Sequence, residues 1–127
     1  LLLSQRHNYS NSIGSRVEPA APRSVRMAIQ ACEASPQEPL TVTDMARAAG
    51  VSIRSLQDGF KRYVGMSPTE YLRDVRLNRV REDLLSERAL HTSIADIAFS
   101  WGFTHLGRFA KTYHERFGEL PSETLRR

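Results

Sequence analysis

One stretch of this 127-residue chain is written twice, and that limits its possible folds more than any other feature. Thr41, Asp44, Ala46, Gly50, Val51, Ser52, Phe60, Gly65, Pro68, Glu70, Leu72 and Arg73 are matched by Ser93, Asp96, Ala98, Gly102, Phe103, Thr104, Tyr113, Gly118, Pro121, Glu123, Leu125 and Arg126. The offset is 52 as far as Thr104 and 53 from Tyr113 onward, which predicts one extra residue early in the second helix of the second copy. Such a repeat is one supersecondary unit used twice.

Both copies punctuate as helices. Thr41-Val42-Thr43-Asp44 carries the Ser/Thr-x-x-Asp/Glu pattern of a helix start, in which both side chains take up orphan N–H groups. The helix runs to Ala49, and Gly50 supplies the positive φ of a tight turn. Ser52 then caps a second helix with Ile53, Leu56, Phe60 and Val64 facing inward, ended by Gly65. Ser67-Pro68-Thr69-Glu70 is a fuller start signal, and the helix it opens carries Tyr71, Leu72, Val75, Val80, Leu84 and Leu85. With no breaker before Ser86, that helix is about 18 residues and about 27 Å long. The second copy starts at Ser93-Ile94-Ala95-Asp96, turns at Gly102, is capped by Thr104, stops at Gly118 and opens a last helix at Pro121.

Ahead of the repeat, Val25, Ala28, Ile29 and Cys32 form an apolar stripe over a helix from Arg23 to Ala34, which Pro36 and Pro39 prevent from continuing. Residues 1–22 read as a tail or linker from a preceding domain, with residues 1–9 as the end of that domain's helix. No segment alternates with period two for long enough to be a strand. The expected fold is all-α: two helix-turn-helix subdomains joined by a long linker helix, about seven helices in all. The first helix-turn-helix falls at about 41–65, the linker helix at about 68–86 and the second at about 93–118, within one domain over 23–127.

The formal charge of +4 and pI near 9.7 favour an acidic partner, which points to nucleic acid; a basic surface kept for solubility is the plainer alternative. Cys32 is the only cysteine, so neither an internal disulfide nor a four-thiol metal site can form, and its helical spacing makes it an apolar-face residue. That usage fits a reducing compartment. Leu1-Leu2-Leu3 is too short for a membrane span or a signal sequence, and with no initiator Met the chain is expected to be a fragment of something longer. His7, His91, His105 and His114 have no metal-ligand spacing, and neither a Gly-rich phosphate loop nor a nucleophile elbow occurs. No enzyme activity, cofactor or metal is expected.

A small residue four before a turn Gly, an apolar residue after it, then a Ser or Thr cap, is how a helix-turn-helix is built. Ala46 and Ala98 allow close crossing, Gly50 and Gly102 turn, and Val51 and Phe103 plug the core beneath. The cap end of the second helix stays exposed and can enter a major groove. One such match also describes an ordinary helix hairpin; two in tandem are far more specific. A rod of about 27 Å plus packing offsets would set the two readers near 34 Å apart, one duplex turn, so a monomer would read about 20 base pairs.

Ser93-Ile94-Ala95-Asp96-Ile97-Ala98-Phe99-Ser100-Trp101-Gly102-Phe103-Thr104, followed by Phe109, Tyr113, Phe117-Gly118 and Pro121, resembles the hallmark of AraC/XylS-type transcription regulators. Ala46 to Leu77 is similar to that family's first helix-turn-helix and linker helix, and Leu1 to Ser10 to the segment joining sensor and DNA-binding domains in XylS-like members. The resemblance covers residues 23–127. It implies double-stranded DNA as partner, activation through RNA polymerase, a missing N-terminal sensor or dimerisation domain, and a cytoplasmic place at the bacterial nucleoid.

The outward positions near the first cap are Arg54, Ser55, Gln57 and Asp58. Arg suits guanine O6 and N7, and Gln suits adenine N6 and N7. In the family, positions matching Arg54, Gln57 and Asp58 face bases. Asp58 departs from the basic residue often found there, and either accepts from cytosine N4 or pairs with Arg54 or Arg62. Gly59 also departs, at a cost of about 1 kcal/mol of helix propensity. On the second reader the exposed set is Thr104, His105, Gly107, Arg108 and Lys111. The resemblance carries base-facing roles to Gly107, Arg108 and Lys111, and Gly107 has no side chain to read with, which leaves Arg108 foremost.

Residues 47–81 hold eight basic side chains against Asp58, Glu70 and Asp74, and some of the eight are expected on phosphates. Trp101, Phe103, Phe109, Tyr113 and Phe117 read as core. The rival reading is a helix-turn-helix that docks protein without reading bases. It predicts binding insensitive to the charges of Arg54 and Arg108.

Overall fold

The computed structural model describes residues 17–127; the readings placed on residues 1–16, including the joining segment Leu1 to Ser10, lie outside the described residues. Among the described residues are seven α-helices and no strand. They are α1 (Arg23–Ala34), α2 (Val42–Ala49), α3 (Ile53–Tyr63), α4 (Pro68–Leu84), α5 (Ile94–Ser100), α6 (Leu106–Phe117) and α7 (Pro121–Leu125), with a 3-10 turn over Glu87–Leu90 that the sequence reading did not anticipate. The chain divides between Val75 and Arg76 into two compact units.

In the first unit the start signals form as written. Thr41 Oγ1 accepts from the Asp44 N–H at 3.1 Å while the Asp44 carboxylate accepts from the Thr41 N–H at 3.0 Å. Ser67 and Glu70 close the same reciprocal box ahead of α4, at 3.1 and 2.8 Å. These bonds hold both carboxyls, Asp44 and Glu70, below their ordinary pKa. The core gathers Val25, Ala28 and Cys32 of α1, Met45 and Ala46 of α2, Leu56 and Phe60 of α3, and Tyr71, Leu72 and Val75 of α4. Phe60 and Tyr71 meet edge to face at 6.0 Å, and the Tyr71 hydroxyl donates to the Glu33 carboxylate at 2.7 Å. Burial and that carboxylate push the phenol's pKa up.

Ile53, expected to face inward, and Leu85, expected within the linker helix, are both outside. Ile53 is 39% exposed because it sits in the first turn of α3, beside the cap, before the helix reaches the core. Leu85 is 52% exposed because α4 ends at Leu84. Gly59 has a packing reason: a Cβ there would lie 2.9 Å from Val25 Cγ2, so α3 approaches α1 more closely than any side chain permits.

The second unit is built from the other half of α4, with Leu77, Val80 and Leu84 packed on Ile97 and Ala98 of α5 and Phe109 and Tyr113 of α6. Leu77, Val80 and Leu84 stand 52 residues after Val25, Ala28 and Cys32. The repeat therefore includes a third helix: what α1 does in the first copy, the C-terminal half of α4 does in the second. No single apolar stripe runs the length of α4, since its two halves serve two cores.

Behind α6 lies a buried polar cluster. Thr124 Oγ1 accepts from the Tyr113 hydroxyl at 2.7 Å and from Arg81 Nη1 at 3.4 Å, and donates to the Glu119 carboxylate. Glu119 also receives Arg81 at 3.2 Å and Arg127 at 2.5 Å. Hydrogen bonding from Arg127 leads the causes that hold the Glu119 carboxyl at about 2, against an ordinary 4.5. Arg81, one of the eight basic side chains of residues 47–81, is only 4% exposed and belongs to this cluster rather than to a phosphate-facing surface.

Candidate nucleic-acid interface

The two turns share one hydrogen-bond pattern. In the first, the Val51 N–H donates to the Ala46 carbonyl at 3.1 Å and the Gly50 N–H to Arg47 at 3.2 Å. In the second, the Phe103 N–H donates to the Ala98 carbonyl at 3.1 Å and the Gly102 N–H to Phe99 at 3.0 Å. Both are the six-to-one closure that a left-handed residue makes at a helix end, with φ of 73° at Gly50 and 99° at Gly102. Ala46 and Ala98 are buried, as close helix crossing requires, and Val51 and Phe103 pack against their cores.

After the turn the copies diverge by one residue. Ser52 caps α3 directly, accepting from the Ser55 N–H at 3.1 Å. In the second copy the cap is His105, whose Nδ1 accepts from the Arg108 N–H at 3.0 Å. Thr104 is therefore not the cap, and the extra residue lies in the turn ahead of α6 rather than inside the helix. The side chain decides it: a cap must accept from the N–H three residues on, and His105 does so here. From the cap onward the offset is 53, which pairs Leu56 with Phe109 and Phe60 with Tyr113, all buried. It also pairs Arg54 with Gly107, Ser55 with Arg108, and Asp58 with Lys111.

All nine residues singled out from sequence are exposed. Arg54, Ser55, Gln57 and Asp58 share the solvent side of the first half of α3. Gly107, Arg108 and Lys111 lie on the first half of α6, with Thr104 and His105 in the segment leading into it. The Asp58 carboxylate stands 4.0 Å from Arg54 Nε, one of the two pairings considered; both side chains are largely exposed, at 91% and 74% for Arg54 and Asp58. Such a pair contributes at most about 1 kcal/mol and can be exchanged for another partner. Ile53 and Leu106, the first helical residue of each reader, are 39% and 40% exposed, a matched apolar pair that spacing had turned inward in the first copy.

The aromatic set is core rather than a stacking platform. Phe109 and Tyr113 are buried, Trp101, Phe103 and Phe117 pack against the same cluster, and consecutive rings from Phe103 to Phe117 stand 4.6–5.8 Å apart. The polar contacts that hold the second turn, and Asp83 at their centre, are not anticipated from the sequence. Trp101 donates its indole N–H to Asp83 at 2.6 Å and lies under Arg79, and the Arg76 guanidinium rests against Gly102. Their i, i+3, i+7 spacing on α4 was the available signal. No helix among the described residues is long and apolar enough to cross a membrane.

Comparison with known proteins agrees with this geometry. A family model described as a helix-turn-helix domain matches residues 45–127. The chain is 43% identical over 126 residues to the "Probable thc operon regulatory protein" of Rhodococcus erythropolis, covering 99% of this chain and 38% of that protein. It is 38% identical over 119 residues to the XylDLEGF operon transcriptional activator of Pseudomonas putida, covering 94% of this chain and 36% of that one. The chain thus spans less than two-fifths of these relatives. Among solved structures, a probable AraC family transcriptional regulator from Rhodopseudomonas palustris CGA009 superposes with a TM-score of 0.76 at 37% identity, over 83% of this chain and 96% of that one. With its paired turns and these matches, the chain belongs to the AraC/XylS-type transcription regulators, a helix-turn-helix family of DNA-binding proteins and not of enzymes.

Proposed function

We propose that residues 23–127 read a specific double-stranded sequence with two helices, α3 and α6, placed in successive major grooves of one duplex. The observation that carries this is the pair of equivalent turns, each leading into a side-chain-capped helix whose cap-end residues are exposed. Arg54 and Gln57 read bases from α3, with Asp58 either accepting from cytosine N4 or releasing Arg54 on contact. Arg108 is the chief reader on α6, Lys111 follows one turn on, and Ser55, Thr104, His105 and the close backbone approach at Gly107 complete the contacts.

The reading extends to a longer regulator. Because the relatives are longer and one is named an activator, this domain serves a protein with an N-terminal sensor or dimerisation domain that activates transcription through RNA polymerase in the bacterial cytoplasm. Selection of bound duplexes from a random pool, run with Arg108→Ala in parallel, tests base reading. Loss of discrimination at one position, by about 1–3 kcal/mol, is expected. Equal weakening on every sequence would leave Arg108 a phosphate contact only.

A further inference from the structure

From the structure we infer that Asp83 is a positioning residue for the second reader: through Trp101 it fixes the direction in which α6 leaves its turn. The inference rests on the proposed DNA-reading role of α6. Asp83 Oδ2 accepts from Trp101 Nε1 at 2.6 Å and from Arg88 Nη1 at 2.7 Å. Arg88 Nη2 reaches on to Ser100 Oγ at 2.9 Å, and that hydroxyl donates to the Ile97 carbonyl at 2.7 Å. One carboxylate therefore ties α4 to the 3-10 turn and to the end of α5. The Arg79 guanidinium carbon lies 5.6 Å from the Trp101 ring centre, which holds the indole from a second side.

Trp101 is the C-cap of α5, one residue before the positive-φ Gly102 and four before the His105 cap of α6. Gly102 is closed off in turn, since a Cβ there would lie 3.1 Å from Arg76 Cζ. Arg76, Arg79 and Asp83 thus address two consecutive turn residues from one helix. In the first copy the corresponding positions are Ser24, Met27 and Ala31, and Ala49 stands where Trp101 does. The first copy makes the same turn hydrogen bonds without this set. The second copy's turn carries an extra residue, and these contacts fix the added freedom.

Trp101 is the only tryptophan, so its emission reports on the surroundings of this one indole. The full chain would be compared with Asp83→Ala, Asp83→Asn and Trp101→Phe for affinity on a selected site and on a scrambled duplex, with helicity checked by circular dichroism. Asp83→Ala should lower the selected-to-scrambled ratio about tenfold with scrambled affinity unchanged, and shift Trp101 emission to longer wavelength. Asp83→Asn, which keeps an acceptor for the indole, should restore most of both. Trp101→Phe should lose the ratio as Asp83→Ala does, and it decides the matter if Asp83→Ala loses helicity. A full ratio in Trp101→Phe and Asp83→Ala, or equal loss on both duplexes, overturns the inference while leaving base reading intact. A parent chain without any preference between duplexes overturns base reading itself, and this inference with it.

Discussion

At the scale of single residues, Gly59 shows how a local rule is overruled by a neighbour. Helix propensity alone says that Gly59→Ala should stabilise α3 by about 1 kcal/mol. The new methyl would meet Val25 Cγ2 at 2.9 Å, on a β-branched side chain that is fully buried. Thermal melts should therefore show Gly59→Ala destabilised by about 1–2 kcal/mol, with the sign reversed when Val25 is also Ala. Sequence exposed the departure at Gly59 but not its cause, because contact with α1 is tertiary. The same limit applies at Thr104 and His105. Both carry groups able to cap, and only the backbone path shows that the histidine accepts the bond. His105→Ala should cost about 1 kcal/mol of stability, whereas His105→Ser should restore it, measured by the same melts.

At the scale of elements, caps and glycine stops were legible because they depend on residues within four positions of each other. Helices α1 and α2 fall where their stripe and capping box place them, and α4 is 17 residues against about 18 expected. Long-range polar bonds were not legible: nothing near Arg81 in sequence announces Glu119 or Thr124, so Arg81 was counted with the phosphate-facing charges. Its burial makes a different prediction. Arg81→Ala should destabilise the chain by about 1–3 kcal/mol, because its hydrogen bonds to Glu119 and Thr124 are lost while Arg127 stays on Glu119, yet leave the salt dependence of DNA binding unchanged. Acid should act through the same cluster. Glu119 has a folded pKa of about 2 against 4.5 when unperturbed, so its stabilisation is complete above 4.5 and lost as pH falls through about 2. Glu119→Gln should be less stable at neutral pH and show a shallower acid limb in a melt series from pH 6 to 2.

At the scale of the whole molecule, the repeat is what the sequence carried most fully, and the structure enlarges it. A match by residue type covers the two turns and their flanking helices; the third helix was hidden because Val25, Ala28 and Cys32 are replaced by Leu77, Val80 and Leu84, alike in burial but not in identity. What the two copies share there is a buried apolar face at helical spacing, which residue-by-residue matching does not detect. The exposed basic side chains predict binding that falls with salt, and Lys111→Ala should reduce the slope of log K against log salt by about 0.9 if it neutralises one phosphate. On this reading two copies of one reader address a single duplex. Selecting sites with the parent chain, Arg54→Ala and Arg108→Ala, and footprinting each, decides it. The expected result is an asymmetric site of about 20 base pairs with two motifs one helical turn apart, each variant relaxing a different motif. A site confined to one motif, or variants that weaken all sequences alike, would contradict it.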